Sequence, residues 1–413
     1  MKKKLCRLCN HPLEVMVADL GMSPLSNAYI RPENLQSKEN FYPLHVYICE
    51  NCYLMQLEEF ESPDQIFNEQ YAYFSSYSNT WLKHSEDYAN MMINKFGINK
   101  NSKVIELASN DGYLLQFFAK KDIPVLGIEP SANVADIAMS KGIPTLVEFF
   151  GKETAKRISK IGNKADLIAA NNVLAHVPDL NDFVAGIKII LKSQGVVTIE
   201  FPHLLNLMKY NQFDTIYHEH FSYFSLYAVK KNVENHGLKV FDVEELPTHG
   251  GSLRIYLCHD NDSSKPVTSN VNNLLDKEDQ AGLRDLKTYI QFHENIKETK
   301  RRLLEFLIQA KREGKKVIGY GAPAKGNTLL NYCGIRSDFI DFTVDTIPYK
   351  QGLYLPGTHI PIKSPDVIQN EKPDYIIILP WNFKDEILQK ISFAKDWGCR
   401  FFIPIPGLQE VFI

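Results

Sequence analysis

Four cysteines, paired as Cys6-x2-Cys9 and Cys49-x2-Cys52, carry the sharpest chemical signal in the chain. Each pair offers two thiolates to one edge of a tetrahedron. Together they fill the coordination sphere of a structural zinc ion and leave no open position for catalysis. The loop between the pairs is longer than in the usual finger, and His11 and His45 within it remain possible substitute ligands. A second cluster, Tyr217-His218-Glu219-His220 with Tyr223 just beyond, crowds titratable groups among aromatic ones. An imidazole with its ordinary pKa of ~6.5 accepts a proton at neutral pH, so a base and its orienting carboxylate can be built here. In an extended segment, alternation sets His218 and His220 on one face and Tyr217 and Glu219 on the other. Metal binding by the two histidines and the glutamate, or a structural aromatic patch, are the competing readings.

Two further motifs have the form of nucleotide-binding turns. In KVIELASNDGYLLQFF a strand is expected to end at Glu106–Ala108, and Ser109-Asn110-Asp111-Gly112 to lead into a helix beginning near Tyr113. Such a turn brings backbone N–H groups and a helix N-terminus to a ligand at the carboxyl edge of a sheet. Glu129, followed by Pro130, ends the next strand where an acid accepts both hydroxyl protons of a ribose. The third strand ends in Asn171-Asn172, with His176 shortly after, either at the same edge or simply capping a helix. GxGxxG is absent and the turn has little room for a pyrophosphate, whereas S-adenosylmethionine, which has no phosphate, is tolerated. The second motif, GYGAPAKGNTLLNY, packs Gly319, Gly321, Lys325, Gly326 and Asn327 into one turn entering a helix, which suits a diphosphate. Asp345 closes the following strand, at the place of a ribose-binding acid or in a structural role. Taken alone, that pattern points to NAD.

The elements that must position these residues follow from periodicity. Residues 1–70 hold both cysteine pairs among turn formers. Helical spacing runs from about Thr80 to Phe96, and short β-rich runs then alternate with helical stretches, as in a parallel sheet covered by helices. Residues 283–313 read as a long helix joining domains, and a second α/β series follows it. The expected fold class is α/β in three parts: a zinc module over 1–70, a central Rossmann-like domain over 71–245, and a second Rossmann-like domain over 246–413. Composition agrees: 413 residues exceed one core, and 44% apolar with 23% charged residues is ordinary for globular chains. A net charge of −3 gives no reason to expect nucleic acid or an anionic membrane as partner. The basic start runs into cysteines rather than an apolar stretch, and seven cysteines, an odd number, suit a reducing compartment. A cytoplasmic protein, monomeric or weakly oligomeric, acting on a small molecule is the expectation.

The chain as a whole resembles the sugar C-methyltransferases, three-domain enzymes that make branched deoxysugars. The resemblance rests on the paired CxxC module, YAYFSSYSNTW, ELASNDGYLL, GIEPSANVA, NNVLAHVPDL, IEFPHLLNL, YHEHFSYFS, HGGSLR, GYGAPAKGNTLLNY and YLPGTHIPI, in that order over nearly all of its length. It implies that a nucleotide-linked 4-keto-6-deoxysugar (dTDP, GDP or CDP) loses its carbon 3 proton and that the enolate attacks the methyl of S-adenosylmethionine. His220 would then be the base, with Tyr217, Glu219 and His218 around it and Tyr71 or Tyr77 lining the cleft. Glu106, Ala108, Ser109, Asn110, Gly112, Glu129, Pro130, Asn171, Asn172 and His176 would hold the cofactor. The substrate would meet His203, Tyr223, His249, Gly250, Gly251, Gly321, Lys325, Asn327 and Asp345. Two rivals stand beside this reading: an NAD-dependent nucleotide-sugar dehydrogenase or epimerase, and a non-catalytic zinc-containing sensor of nucleotide-sugars.

Overall fold

Two turns of the same shape begin and close the cysteine module. Asn10 and Tyr53, each directly after a CxxC pair, take left-handed backbone angles (φ 58° and 55°), and their amides donate to the carbonyls of Cys6 and Cys49. The amides of Cys6 and Cys49 in turn donate to His11 and Leu54. The computed structural model describes residues 4–62 and 74–412. The chain divides into two compact units, each assembled from separate stretches. The first comprises Met1–Leu13, Cys49–His203 and Phe221–Arg284, and the second Glu14–Ile48, Leu204–His220 and Asp285–Ile413.

Strands β1 (Val15–Ser23) and β2 (Tyr42–Ile48) form an antiparallel pair in the second unit. In the first unit, β3 (Met55–Leu57) pairs antiparallel with the short strand Ser222–Tyr223. The sheet of that unit contains β4 (Val104–Leu107), β5 (Val125–Ile128), β6 (Thr145–Leu146), β7 (Ala165–Asn171) and β8 (Leu191–Pro202), all parallel. With β9 now denoting Ser222–Tyr223, β10 (Leu238–Leu246) and β11 (Ser252–His259) complete it antiparallel, in the order β10-β11-β8-β7-β4-β5-β6. Strand order reverses at β4, so the crevice that takes ligands in open α/β sheets lies at the carboxyl ends of β4 and β7. Buried Ile105, Leu107, Ile168, Ile199 and Leu253 share one core with Cys6, Cys49 and Cys52, so the cysteine module and the sheet bury a common apolar mass.

The helix expected from Thr80 runs over Asn79–Phe96, capped by the Ser78 hydroxyl and ended by left-handed Gly97. The helix after the ASNDG turn begins at Leu115 rather than near Tyr113, because Ala108, Asn110 and Gly112 are all left-handed and hold the chain in a loop. A Cβ on Gly112 would lie 3.1 Å from Ile143 and 3.3 Å from Ala138, so this turn requires glycine for both angle and space.

The second unit has its own sheet, in which β12 (Val317–Tyr320), β13 (Thr343–Val344), β14 (Ile362–Lys363), β15 (Tyr375–Ile378) and β16 (Arg400–Ile403) run parallel. With β17 (Gln409–Val411) antiparallel, the order is β14-β13-β12-β15-β16-β17. Its switch point lies at the ends of β12 and β15, that is, at Gly321 and at the Pro380–Asn382 turn. The long helix, Leu286–Arg312, lies inside this unit and packs on β1. Residues up to Arg284 lie in the first unit, to which they supply β11 and the helix Ser269–Gln280. Among the described residues no helix is long and apolar enough to cross a membrane.

Candidate active site

The four cysteine sulfurs lie within 4.8 Å of one another, with Cys6–Cys52 and Cys9–Cys49 each at 3.5 Å. Thiolates around zinc at ~2.3 Å stand ~3.8 Å apart, so the set is already arranged for the ion. Without a cation they cannot all ionise: mutual hydrogen bonding drives Cys6 far down, while Cys52 is driven far up. Gln56 donates to Cys6 Sγ at 3.2 Å, which suits a bound thiolate. His45 faces Asp19 at 3.3 Å and His11 is exposed, so the substitute ligands are not needed. Among the described residues this is the one group able to hold a metal, and His218, Glu219 and His220 do not form another.

At the switch point of the first sheet, Glu106 is fully buried at the end of β4. Burial pushes its carboxyl well above the usual range, offset in part by Tyr113 and the Leu115 amide. Glu129 follows β5, and its two oxygens accept from the amides of Asn110 (3.0 Å) and Ser131 (2.9 Å). Burial raises it too, against those two amides. Pro130 follows at the same edge, half-buried. The Ser109 hydroxyl and both ends of the Asn171 side-chain amide are buried without a hydrogen-bond partner among the described residues. Buried polar atoms of this kind call for a ligand or water. The carboxyl oxygens of Glu106, Asp111 and Glu129 ring this edge, and such acceptors suit a ligand of hydroxyls and amines rather than a pyrophosphate. The donor set therefore fits S-adenosylmethionine and not a dinucleotide.

Sequence reasoning did not foresee what surrounds this edge. The Ser75 amide donates to Asn110 Oδ1 at 2.8 Å, so the end of YAYFSSYS lies across the turn. Tyr77 there is 70% exposed and rests on Phe74, while Tyr71 lies outside the described residues. Trp81 stacks on His84 (4.8 Å) and meets the edge of His249 (5.1 Å). Asn172 Nδ2 donates to His249 Nε2 at 3.1 Å. His249, Gly250 and Gly251 are left-handed in succession (φ 53°, 90° and 114°), which only a glycine-rich stretch permits. The HGG turn thus belongs beside the cofactor strands. His176 ends a short helical turn after β7 and is half-buried. His203 is 1% exposed, and its Nε2 lies 2.7 Å from Glu278 Oε1. Tyr223 is likewise buried, in β9.

In the second unit, YHEH is not extended, so the alternation of an extended segment does not apply to it. A short helical turn, Phe213–Thr215, precedes it, and the His220 amide returns to the Tyr217 carbonyl. The turn separates the histidines and brings Tyr217 and His220 together. His218 Nε2 lies 3.2 Å from the Pro43 carbonyl, its ring is edge-on to Tyr42, and burial lowers its pKa. His220 Nδ1 lies 2.8 Å from the Thr215 carbonyl, which only accepts, so Nδ1 carries the proton. The lone pair is then on Nε2, 2.9 Å from the Tyr217 hydroxyl. Glu219 is buried, accepts from Asn27 Nδ2 at 2.7 Å, and is pushed by burial up to about 7, so it holds a proton near neutrality.

The glycine turn lies in the same unit. Gly321 is left-handed (φ 87°) against Pro380, whose ring a Cβ there would strike. Lys325 Nζ donates to Asn382 Oδ1 at 2.8 Å and lies 4.4 Å from the Trp381 ring centre. Asn327 donates to the Ser26 carbonyl. Both oxygens of Asp345 accept from the backbone, from Ala322 (2.7 Å) and Ile347 (2.9 Å).

Residues 6–67 match the family model of a zinc binding domain, 82–243 that of a methyltransferase domain, and 247–406 that of a C-methyltransferase C-terminal domain. The C-methyltransferase NovU of Streptomyces niveus is 34% identical over 401 residues, 97% of this chain and 95% of that protein. The ubiquinone biosynthesis O-methyltransferase of Bartonella quintana is 27% identical over 101 residues, 24% of this chain and 41% of that protein. Among solved structures, magnesium protoporphyrin IX methyltransferase from Synechocystis, with S-adenosylmethionine bound, is 12% identical; 43% of this chain and 79% of that one are covered, at a TM-score of 0.33.

Proposed function

The chain belongs to the family of S-adenosylmethionine-dependent C-methyltransferases, and from that membership we propose that it methylates carbon 3 of a nucleotide-linked 4-keto-6-deoxysugar. The observation that carries the mechanism is the fixed tautomer of His220: Nδ1–H on the Thr215 carbonyl and a lone pair on Nε2. A carbon nucleophile must be made by removing a proton beside a ketone, which needs a positioned base. His220 Nε2 takes the carbon 3 proton, directly or through the Tyr217 hydroxyl. Glu219, protonated near neutral pH, donates a hydrogen bond that steadies the enolate oxygen. Bound S-adenosylmethionine supplies an electrophilic methyl group on a sulfonium. Glu106 and Glu129 accept from its amine and ribose hydroxyls, and the Asn171 amide satisfies its remaining polar edge.

The sugar nucleotide is assigned to the turn of Gly321, Lys325 and Asn327, and the cytoplasm, where thiols stay reduced, is the compartment this chemistry suits. The three parts expected along the chain, 1–70, 71–245 and 246–413, are kept as the functional division. The test is turnover of dTDP-, GDP- and CDP-linked 4-keto-6-deoxysugars with S-adenosylmethionine, with NMR locating the new methyl. A methyl on carbon 3 is expected; a methyl on oxygen alone contradicts the proposal.

A further inference from the structure

The stretch Tyr354–Ile362, YLPGTHIPI, has no role in the chemistry above, yet it is tied closely to a distant part of the chain. Ile30 and Tyr354 exchange both backbone hydrogen bonds, each at 2.9 Å. Glu39 clasps the turn that follows with both of its oxygens, one 2.6 Å from the Gly357 amide and the other 3.0 Å from His359 Nε2. Asn331 Nδ2 donates to the Pro356 carbonyl at 3.1 Å and holds the same turn from the helix Ala324–Cys333. Between the segment 24–42 and this turn lies a cavity of about 450 Å³. That volume falls within the ~300–1,000 Å³ of small-molecule sites.

Tyr29, Arg31, Lys38, Glu39, Tyr42 and His359 are among the lining residues, all of them in the second unit. The charge of Glu39 is answered by its clasp. Arg31 and Lys38 are exposed, and neither side chain has an ion pair or hydrogen bond among the described residues. Two uncompensated cations thus share one mouth with two tyrosine rings. In the walls, Ser26 Oγ and Thr358 Oγ1, each beside a lining residue in sequence, are buried without a partner among the described residues. Buried polar atoms of this kind mark a surface that a ligand or water completes.

The walls also reach both motifs that face the substrate in this unit. The Tyr42 ring is edge-on to His218 at 5.8 Å, and Asn27, two residues before Tyr29, donates to Glu219. The Tyr29 hydroxyl donates to the Ala322 carbonyl at 2.6 Å, directly after Gly321. A sugar held at YHEH therefore has this cavity beside it. Cationic side chains bind phosphate oxygens through charge-assisted hydrogen bonds, and aromatic rings accept the face of a planar base. A free sugar would leave both cations unanswered.

Resting on the reading that the substrate is nucleotide-linked, we infer that this cavity is the subsite for the nucleoside diphosphate end of the sugar nucleotide, with Arg31 and Lys38 binding its phosphates. The ammonium of Lys325 already faces Asn382, whereas these two side chains give up no partner among the described residues when a phosphate arrives.

The test is calorimetry on the full-length zinc-loaded enzyme with dTDP, GDP and CDP, using the variants Arg31→Ala and Lys38→Ala. Both substitutions remove exposed side chains, so both proteins are expected to fold as the wild type does. At least one of the three diphosphates is expected to bind the wild type. Each variant should weaken that binding ~10-fold, with S-adenosylmethionine affinity unchanged to within about twofold. In turnover, KM for the sugar nucleotide should rise by the same factor while kcat stays within about threefold. Diphosphate affinity within about twofold of wild type in both folded variants overturns the inference and leaves the substrate reading standing. A wild type that binds none of the three diphosphates overturns both. A methyl found at a position other than carbon 3, with the losses in Arg31→Ala and Lys38→Ala intact, would support the subsite and count only against the carbon 3 reading.

Discussion

The switch points of the two sheets differ in how many of their buried polar groups are already answered. At the ends of β4 and β7, the Ser109 hydroxyl and both ends of the Asn171 amide are buried without partners among the described residues. At the ends of β12 and β15, Asp345 is satisfied by backbone amides, Lys325 by Asn382 and Trp381, and Asn327 Nδ2 by the Ser26 carbonyl, while Asn327 Oδ1 is left without a partner among the described residues. An unanswered buried group costs ~1–3 kcal/mol, which a ligand recovers when it binds. An answered group must give up one partner to gain another. The first edge is therefore built to hold a ligand through pre-placed atoms, and the second to hold its own shape.

The largest effect expected is on the first unit as a whole. Removing zinc takes away binding free energy of ~10–16 kcal/mol on the scale of small zinc domains, and the cysteines share a core with the sheet that carries the cofactor edge. Metal analysis should find one zinc per chain, and chelation should abolish S-adenosylmethionine binding in calorimetry. Cofactor affinity that survives complete loss of zinc would uncouple the module from that edge.

Next come Glu129 and Asn171, which the comparison separates. Glu129→Ala should weaken S-adenosylmethionine by ~1.5–3 kcal/mol and also destabilise the ligand-free protein, because the amides of Asn110 and Ser131 lose their acceptor. Asn171→Ala should weaken the cofactor by ~1–3 kcal/mol while leaving ligand-free stability unchanged or raised, since it deletes a group that is unsatisfied until ligand arrives. Calorimetry and denaturation on the same samples check both. A fall in ligand-free stability for Asn171→Ala would remove the contrast.

Lys325→Met should weaken the sugar nucleotide by only ~0.5–1.5 kcal/mol and leave cofactor binding intact, because any contact to a phosphate replaces the one to Asn382. A loss of several kcal/mol would mean that this edge, too, is pre-placed for its ligand.

A further effect, spread over several pH units, concerns stability rather than binding. Glu219 is pushed by burial to about 7 and Asp214 to about 6, both above their unfolded values. Over the intervening pH range the folded state keeps protons that the unfolded state has lost, so stability falls as pH rises from about 4.5 to 7. Glu219→Gln should flatten that fall, by no more than ~3 kcal/mol in total, in denaturation curves measured across the range. An unchanged slope would place the Glu219 carboxyl in an ordinary ionised state.

What could be read from the chain alone was whatever is encoded in nearby residues. The CxxC spacing, the strand–turn–helix around ASNDG and the glycine turn after β12 are local, and the structure forms a turn at each. The turn at YHEH was not legible because groups distant in sequence hold the residues just before it, Trp381 on Asp214 and Thr328 on Ile216. Neither partner is periodic with the segment it holds. The partner of His203, Glu278, lies on a helix far along the chain and could not be read from the residues around it. The interleaving of the units, with 14–48 and 204–220 joined to the last third of the chain, has no signature in consecutive residues.

The central claim is that a carbon nucleophile is made by His220, and the most direct test is deuterium exchange at carbon 3 of the keto-sugar in the absence of methyl transfer. Wild-type enzyme should exchange that proton with solvent. His220→Asn should bind both ligands in calorimetry yet exchange ~10²- to 10⁴-fold more slowly. Exchange at an undiminished rate in the folded variant would contradict the claim and assign the proton to another group.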